Sequence, residues 1–153
     1  TLNQRFLHRL AGEWETLLAA FDGLPDQRLL VPGVVDEWTA RDLLVHLASW
    51  VEEGEKALPY IFDGKRLPRF SDLYGGIDAF NAQVQDQHRA LSPTQARARL
   101  EAAYLRLSGK LAQIPQMDPK TQNRLVKRIR LDTYGHWREH TTQILDWRSS
   151  TAP

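Results

Sequence analysis

Apolar residues recur at three- and four-residue steps along nearly the whole chain, and strand-like alternation does not compete with that pattern. Leu7, Leu10, Trp14, Leu17, Leu18 and Phe21 make one face of a first helix. Gly23, Pro25, Pro32 and Gly33 then punctuate a loop. A second helix is predicted to start at Thr39, with Asp42 three residues on as its capping partner. Its stripe runs through Leu43, Leu47, Trp50, Val51 and Leu58 to Ile61 or Phe62, and Pro59 is placed to kink the helix or end its regular part. Residues 63–76 form a long connection, of a kind that is often functional or mobile. A third helix spans Ile77 to about Leu91, carrying Phe80 and Val84. Ser92, Pro93 and Gln95 open a fourth, which continues through Leu100, Tyr104, Leu107, Leu111 and Ile114. Pro115 and Pro119 bracket a break. A last helix is predicted from about Thr121 to Trp147, with Leu125, Ile129, Ile144 and Trp147 on one stripe. The expectation is an all-α single domain over residues 1–153, a helical bundle with an extra short helix or a long loop in its connections.

Two of these stripes contain histidine. On the last helix Leu125, Ile129, Thr133, His136, His140, Ile144 and Trp147 follow steps of three and four, so His136 and His140 face inward one turn apart. On the second, His46 lies between Leu43 and Trp50 and also faces inward. A bundle can bring such residues from two helices together. Burying three unpaired imidazoles is costly, and one divalent ion satisfies all three. The alternative is a set of core histidines bonded to Tyr, Thr or Asp neighbours. Three protein ligands would leave a coordination position open, the arrangement of a catalytic rather than a closed structural site. Three neutral imidazoles suit Zn, Ni, Fe or Mn. Asp132, one turn before His136, is a candidate acceptor for a ligand's second N–H, whereas helix phase places Glu139 on the surface.

Other positions carry weaker signals. Trp50 follows His46 by one turn and can wall a pocket beside the ion, with core packing as the alternative. Asn81 can present an amide to that pocket or bond between helices. Tyr134 and Trp137 flank His136 but point to other faces. His88 reads as a hydrogen-bonded histidine at the bundle edge, and His8 as solvent-exposed. Gly135, inside the last helix, suggests close approach of another backbone. The acidic run Glu52, Glu53, Glu55 and the basic run Arg124, Lys127, Arg128 read as solvated faces.

Composition narrows the chemistry. The 153 residues include no cysteine, which excludes a disulfide framework, Cys-ligated zinc and a cysteine nucleophile. Any thiol chemistry must therefore borrow its thiol from outside. A formal charge of +1, from 20 basic and 19 acidic residues, argues against a phosphate-driven nucleic-acid binder. With no long apolar run and no signal-peptide core at the start, the expectation is a cytoplasmic protein with no membrane partner. No nucleophile elbow, phosphate loop or dinucleotide fingerprint is present.

The stretches PGVVDEWTARDLLVHLASW (32–50), FNAQV (80–84) and DTYGHWREHTTQILDW (132–147) together resemble signatures of the DinB-like superfamily, most closely its ClbS/DfsB branch. The resemblance implies a four-helix bundle, often dimeric. It also implies a divalent metal on one helix-two histidine and an H-x-x-x-H pair, positions filled here by His46, His136 and His140. Superfamily members include transferases and isomerases that use low-molecular-weight thiols. The ClbS member is a resistance protein that hydrolyses the cyclopropane of a genotoxin.

Three functions follow as expectations. The first is a metal-dependent hydrolase or thiol transferase acting on a small electrophilic or toxic molecule. The second is a non-catalytic resistance protein that sequesters such a molecule. The third is a structural homodimer with a satisfied histidine cluster.

Overall fold

The computed structural model describes residues 2–150. Four long helical segments form the bundle: α1 (Gln4–Ala20), α3 (Ala40–Phe62), α6 (Pro93–Ala112) and a last segment divided into α7 (Pro119–Asp132) and α8 (Tyr134–Ser150). Their buried stripes match the expected ones: Leu10, Trp14 and Leu17 on α1, Leu43 and Leu47 on α3, Leu100 and Leu107 on α6, Leu125 and Ile144 on the last segment. The expected caps are in place. Thr39 and Asp42 form a reciprocal box at the start of α3, as Ser92 and Gln95 do at α6, so each box satisfies two orphan donors. α3 packs mainly against α6 and α7, while α1 packs against α8. Half-buried Arg99 bridges the first of these interfaces, donating to the Val45 carbonyl, the Ser49 hydroxyl and Glu52.

The connections hold more structure than the sequence suggests. Residues 22–38, expected as a loop, contain the short helix α2 (Asp26–Leu29) and a hairpin of β1 (Pro32–Val35) and β2 (Trp38–Thr39). Pro32 pairs with Thr39 and Val35 with Trp38, and Asp36 takes a left-handed φ of 51° in the turn. Four residues are too few for alternation to register as a strand. The 63–76 connection contains α4 (Phe70–Tyr74), and α5 (Ile77–Gln87) ends at His88, short of Leu91. Pro59 lies inside α3, which continues to Phe62.

The last helix is the main departure. It breaks at Thr133, whose backbone (φ −126°, ψ −114°) is not helical. The Thr133 hydroxyl donates to the Ile129 carbonyl at 2.6 Å, and the amides of His136 and Trp137 both turn back to the Thr133 carbonyl. Gly135 permits this turn. A Cβ there would sit 2.8 Å from the Arg130 carbonyl oxygen, so the close approach is of the chain's own preceding turn rather than of another helix. The break explains how Asp132, Thr133 and Tyr134 are all buried, since three successive residues of a straight helix spread over about 200°.

Candidate metal centre

His46 sits in the second turn of α3, one turn before Trp50, and His136 and His140 sit one turn apart at the start of α8. The structure brings all three together. His136 Nε2 lies 2.9 Å from His46 Nε2 and 2.9 Å from His140 Nε2. His46 and His140 are buried and His136 is half-buried. His140 Nδ1 lies 2.6 Å from Gln143 Oε1, while the Nδ1 atoms of His46 and His136 are buried without a hydrogen-bond partner.

Without an ion this donor set leaves one of its two close contacts unsatisfied. A neutral imidazole carries one proton on its two nitrogens. The Gln143 contact places the His140 proton on Nδ1, leaving Nε2 as an acceptor. His136 Nε2 can then donate to one neighbour only, although two nitrogens face it at 2.9 Å. A cation accepting one lone pair from each ring relieves the clash of facing lone pairs and leaves protons on the buried Nδ1 atoms of His46 and His136; separations of 2.9 Å correspond to about 90° between ligands held at about 2.0–2.1 Å from one ion. The three ligand atoms lie within 4.8 Å of one another, close enough to hold one ion.

Electrostatics keeps the rings in the ligating form. The His46 pKa is lowered from 6.5 to about 3, first by burial and then by the His136 and His140 charges, with the Asn81 side chain opposing. His136 is lowered to about 4 by burial and by His140. Burial also lowers His140, against the pull of Gln143 and Glu139. All three are neutral at pH 7, as metal ligation requires.

Aromatic side chains wall the cluster. The Trp50 ring lies 5.5 Å from His136 and 6.1 Å from His46. Trp50 Nε1 donates to Asn81 Oδ1 at 3.0 Å, so Asn81 bonds between α3 and α5 and fixes the indole. Phe70 stacks on the same indole at 5.2 Å, and thus the long connection closes over the outer side of Trp50. Trp38, on β2, lies 5.0 Å from His46 and forms a further wall. Sequence reasoning missed Trp38 because its placement depends on the hairpin.

Asp132 is placed differently from expectation. It is fully buried, its Oδ2 accepts from Arg128 Nε at 2.6 Å, and its Oδ1 has no partner. No hydrogen bond joins it to a histidine among the described residues; Gln143 is the acceptor that reaches a ligand ring. An i+3 amide on the histidine face was the available signal. Burial raises the Asp132 pKa to about 6, Arg128 opposes, and Glu53 adds to the rise. The solvated-face reading is corrected at several positions of both runs: Glu52, Glu55 and Arg124 are half-buried, with Glu52 and Glu55 paired to Arg99, Arg106 and Lys110 of α6. Glu53 is buried, seven residues after His46 on the same α3 stripe, and accepts from Tyr74 and Lys56 at 2.8 Å each. Arg128 is half-buried because Asp132 draws it in. Glu139 is exposed, Trp137 and Tyr134 pack in the core, and His88 Nδ1 bonds the Val84 carbonyl.

With this geometry in place, similarity to known proteins becomes informative. Residues 6–141 match the family model described as the mycothiol maleylpyruvate isomerase N-terminal domain. The chain belongs to this family. The domain is of the DinB-like superfamily, in agreement with the helical bundle and its histidine cluster. No curated protein and no solved structure matches the chain. No helix among the described residues is long and apolar enough to cross a membrane.

Proposed function

We propose that this domain is a metal-dependent enzyme that transfers a low-molecular-weight thiol to, or isomerises with its help, a small electrophilic molecule. The observation carrying the reading is the convergence of three neutral Nε2 atoms from His46, His136 and His140 on one point. These residues would hold a divalent ion, Zn, Ni, Fe or Mn by the chemistry of the donors. When bound, such an ion supplies a Lewis acid that favours the thiolate form of a thiol at neutral pH.

The chain's own residues supply the rest. Lacking cysteine, the protein provides no nucleophilic sulfur, so the thiol must be a co-substrate. Trp38 and Trp50 exclude water from one side of the cluster and offer flat apolar surfaces to the electrophile. Asn81 spends its carbonyl oxygen on Trp50 and retains its amide N–H groups for donation. The family description ties the domain to mycothiol, which puts thiol transfer ahead of hydrolysis or simple sequestration of ClbS/DfsB type. A homodimer, implied by the likeness to the superfamily, belongs to the same proposal.

Protein purified without a histidine tag, and analysed by inductively coupled plasma mass spectrometry, is expected to carry about one divalent ion per chain. His46→Ala is expected to lose it. Consumption of an electrophile should then require both the ion and an added thiol, tested with mycothiol, bacillithiol and glutathione. Turnover by water alone would move the assignment to a hydrolase. Unchanged metal content in His46→Ala would remove the site.

A further inference from the structure

We propose that Gln143 is a positioning residue: its side-chain carbonyl takes the Nδ1 proton of His140 and so aims a bare Nε2 lone pair into the histidine cluster. The proposal rests on the metal-enzyme reading and assigns one residue its part in it.

The geometry is specific. Gln143 lies three residues after His140 on α8, is half-buried, and places Oε1 2.6 Å from His140 Nδ1. His46 and His136 have no such partner, because their Nδ1 atoms are buried and unbonded. Gln143 Oε1 is thus an acceptor from outside the cluster whose hydrogen bond fixes the tautomer of His140. That choice propagates. With the His140 proton on Nδ1, the only proton available between His140 Nε2 and His136 Nε2 belongs to His136. An entering cation then meets a ring already in its ligating form. Choosing an amide over a carboxylate has its own consequence. An amide orients the ring without adding negative charge, which leaves a bound ion a stronger electrophile than the aspartate- or glutamate-backed equivalent.

The test begins with metal-free, 15N-histidine-labelled protein, in which long-range 1H–15N correlation spectra report the tautomer of His140. Wild type is expected to show the Nδ1–H form. Gln143→Leu, which cannot accept, should shift the ring toward a mixture and weaken Zn2+ binding, measured by competition with a chromophoric chelator, about 10- to 100-fold. Gln143→Glu, which can only accept, should keep the Nδ1–H form and bind Zn2+ at least as tightly as wild type. Circular dichroism and thermal melting establish that each variant is folded. An Nε2–H tautomer in wild type overturns the proposal, as does Gln143→Leu with unchanged tautomer and unchanged affinity. If Gln143→Leu fails to fold, the wild-type spectrum and Gln143→Glu still decide. Failure of wild type to bind any metal would count against the metal site, while the metal-free spectra would still judge the role of Gln143.

Discussion

Replacing Gly135 with alanine separates a broken last helix from a straight one, because the two predict opposite signs. Gly135 has no positive φ, so its own backbone conformation admits a side chain. In a straight, exposed helix the change would stabilise the protein by about 1 kcal/mol, the difference in helix propensity between the two residues. At the break, the new methyl group would lie 2.8 Å from the Arg130 carbonyl oxygen. That oxygen belongs to the backbone and cannot rotate away, so α7 and α8 must move apart. Overpacking of this kind costs about 1–3 kcal/mol. Subtracting the propensity gain leaves a destabilisation of about 1 kcal/mol, or a Tm lower by about 2–4 °C for a chain of this size. Scanning calorimetry and urea unfolding of the metal-free protein measure it. Since His136 follows Gly135 directly, the same displacement should weaken Zn2+ binding. A Tm that rises by a few degrees, with metal affinity unchanged, would refute the assignment of the break.

Two further outcomes follow from the site. Between about pH 4 and 6 the folded metal-free chain keeps His46 and His136 neutral while the unfolded chain protonates both, and Asp132 opposes them by holding a proton only when folded. Two protons against one, with His140 adding in the same sense, make the unfolded state the net binder, so stability should fall as pH drops from 6 to 4 by at least about 1.4 kcal/mol per pH unit; Asp132→Asn should steepen the slope, His46→Ala should reduce it, and urea titrations at several pH values that show no slope or the reverse would contradict the assignment. Trp38→Ala should leave metal content unchanged and raise KM for an aromatic electrophile by about 2- to 10-fold, the loss of one aromatic contact; steady-state kinetics beside metal analysis distinguishes this from damage to the ion site.

The readable part of the site was the part carried by helix periodicity. His46, His136 and His140 could be found because each falls on an apolar stripe, and a stripe survives small errors in helix ends. Glu53 obeyed the same rule, seven residues beyond His46, but its place in an acidic run made solvation the simpler reading. Only the half-buried Tyr74 hydroxyl, from a segment distant in sequence, shows why a carboxylate is kept there. Trp38 was hidden for a different reason. Its position depends on the Asp36 turn and four paired residues, which are too short to produce a periodic signal.

The Thr133 break shows how a site can depend on a feature that weakens its own helix. Leu125, Ile129, Thr133, His136 and His140 fit one stripe whether the helix is straight or bent, so spacing cannot distinguish the two. What differs is the neighbourhood. Bending at Thr133 buries Asp132 against Gly54 of α3, where a Cβ at the glycine would lie 3.2 Å from the carboxylate, and turns Trp137 fully into the core beside Trp14. Those two anchors, one on each side of the break, fix the start of α8 against α3 and against α1. His136 and His140 leave the anchored turn with Nε2 atoms 2.9 Å apart, and His46 Nε2 lies 2.9 Å from that of His136. The glycine, the threonine back-bond and the buried carboxylate therefore act as one positioning unit for the histidines. On this reasoning the loss of any one of the three should weaken ion binding before it unfolds the bundle, since the α3–α6 interface, joined by Arg99, does not depend on them.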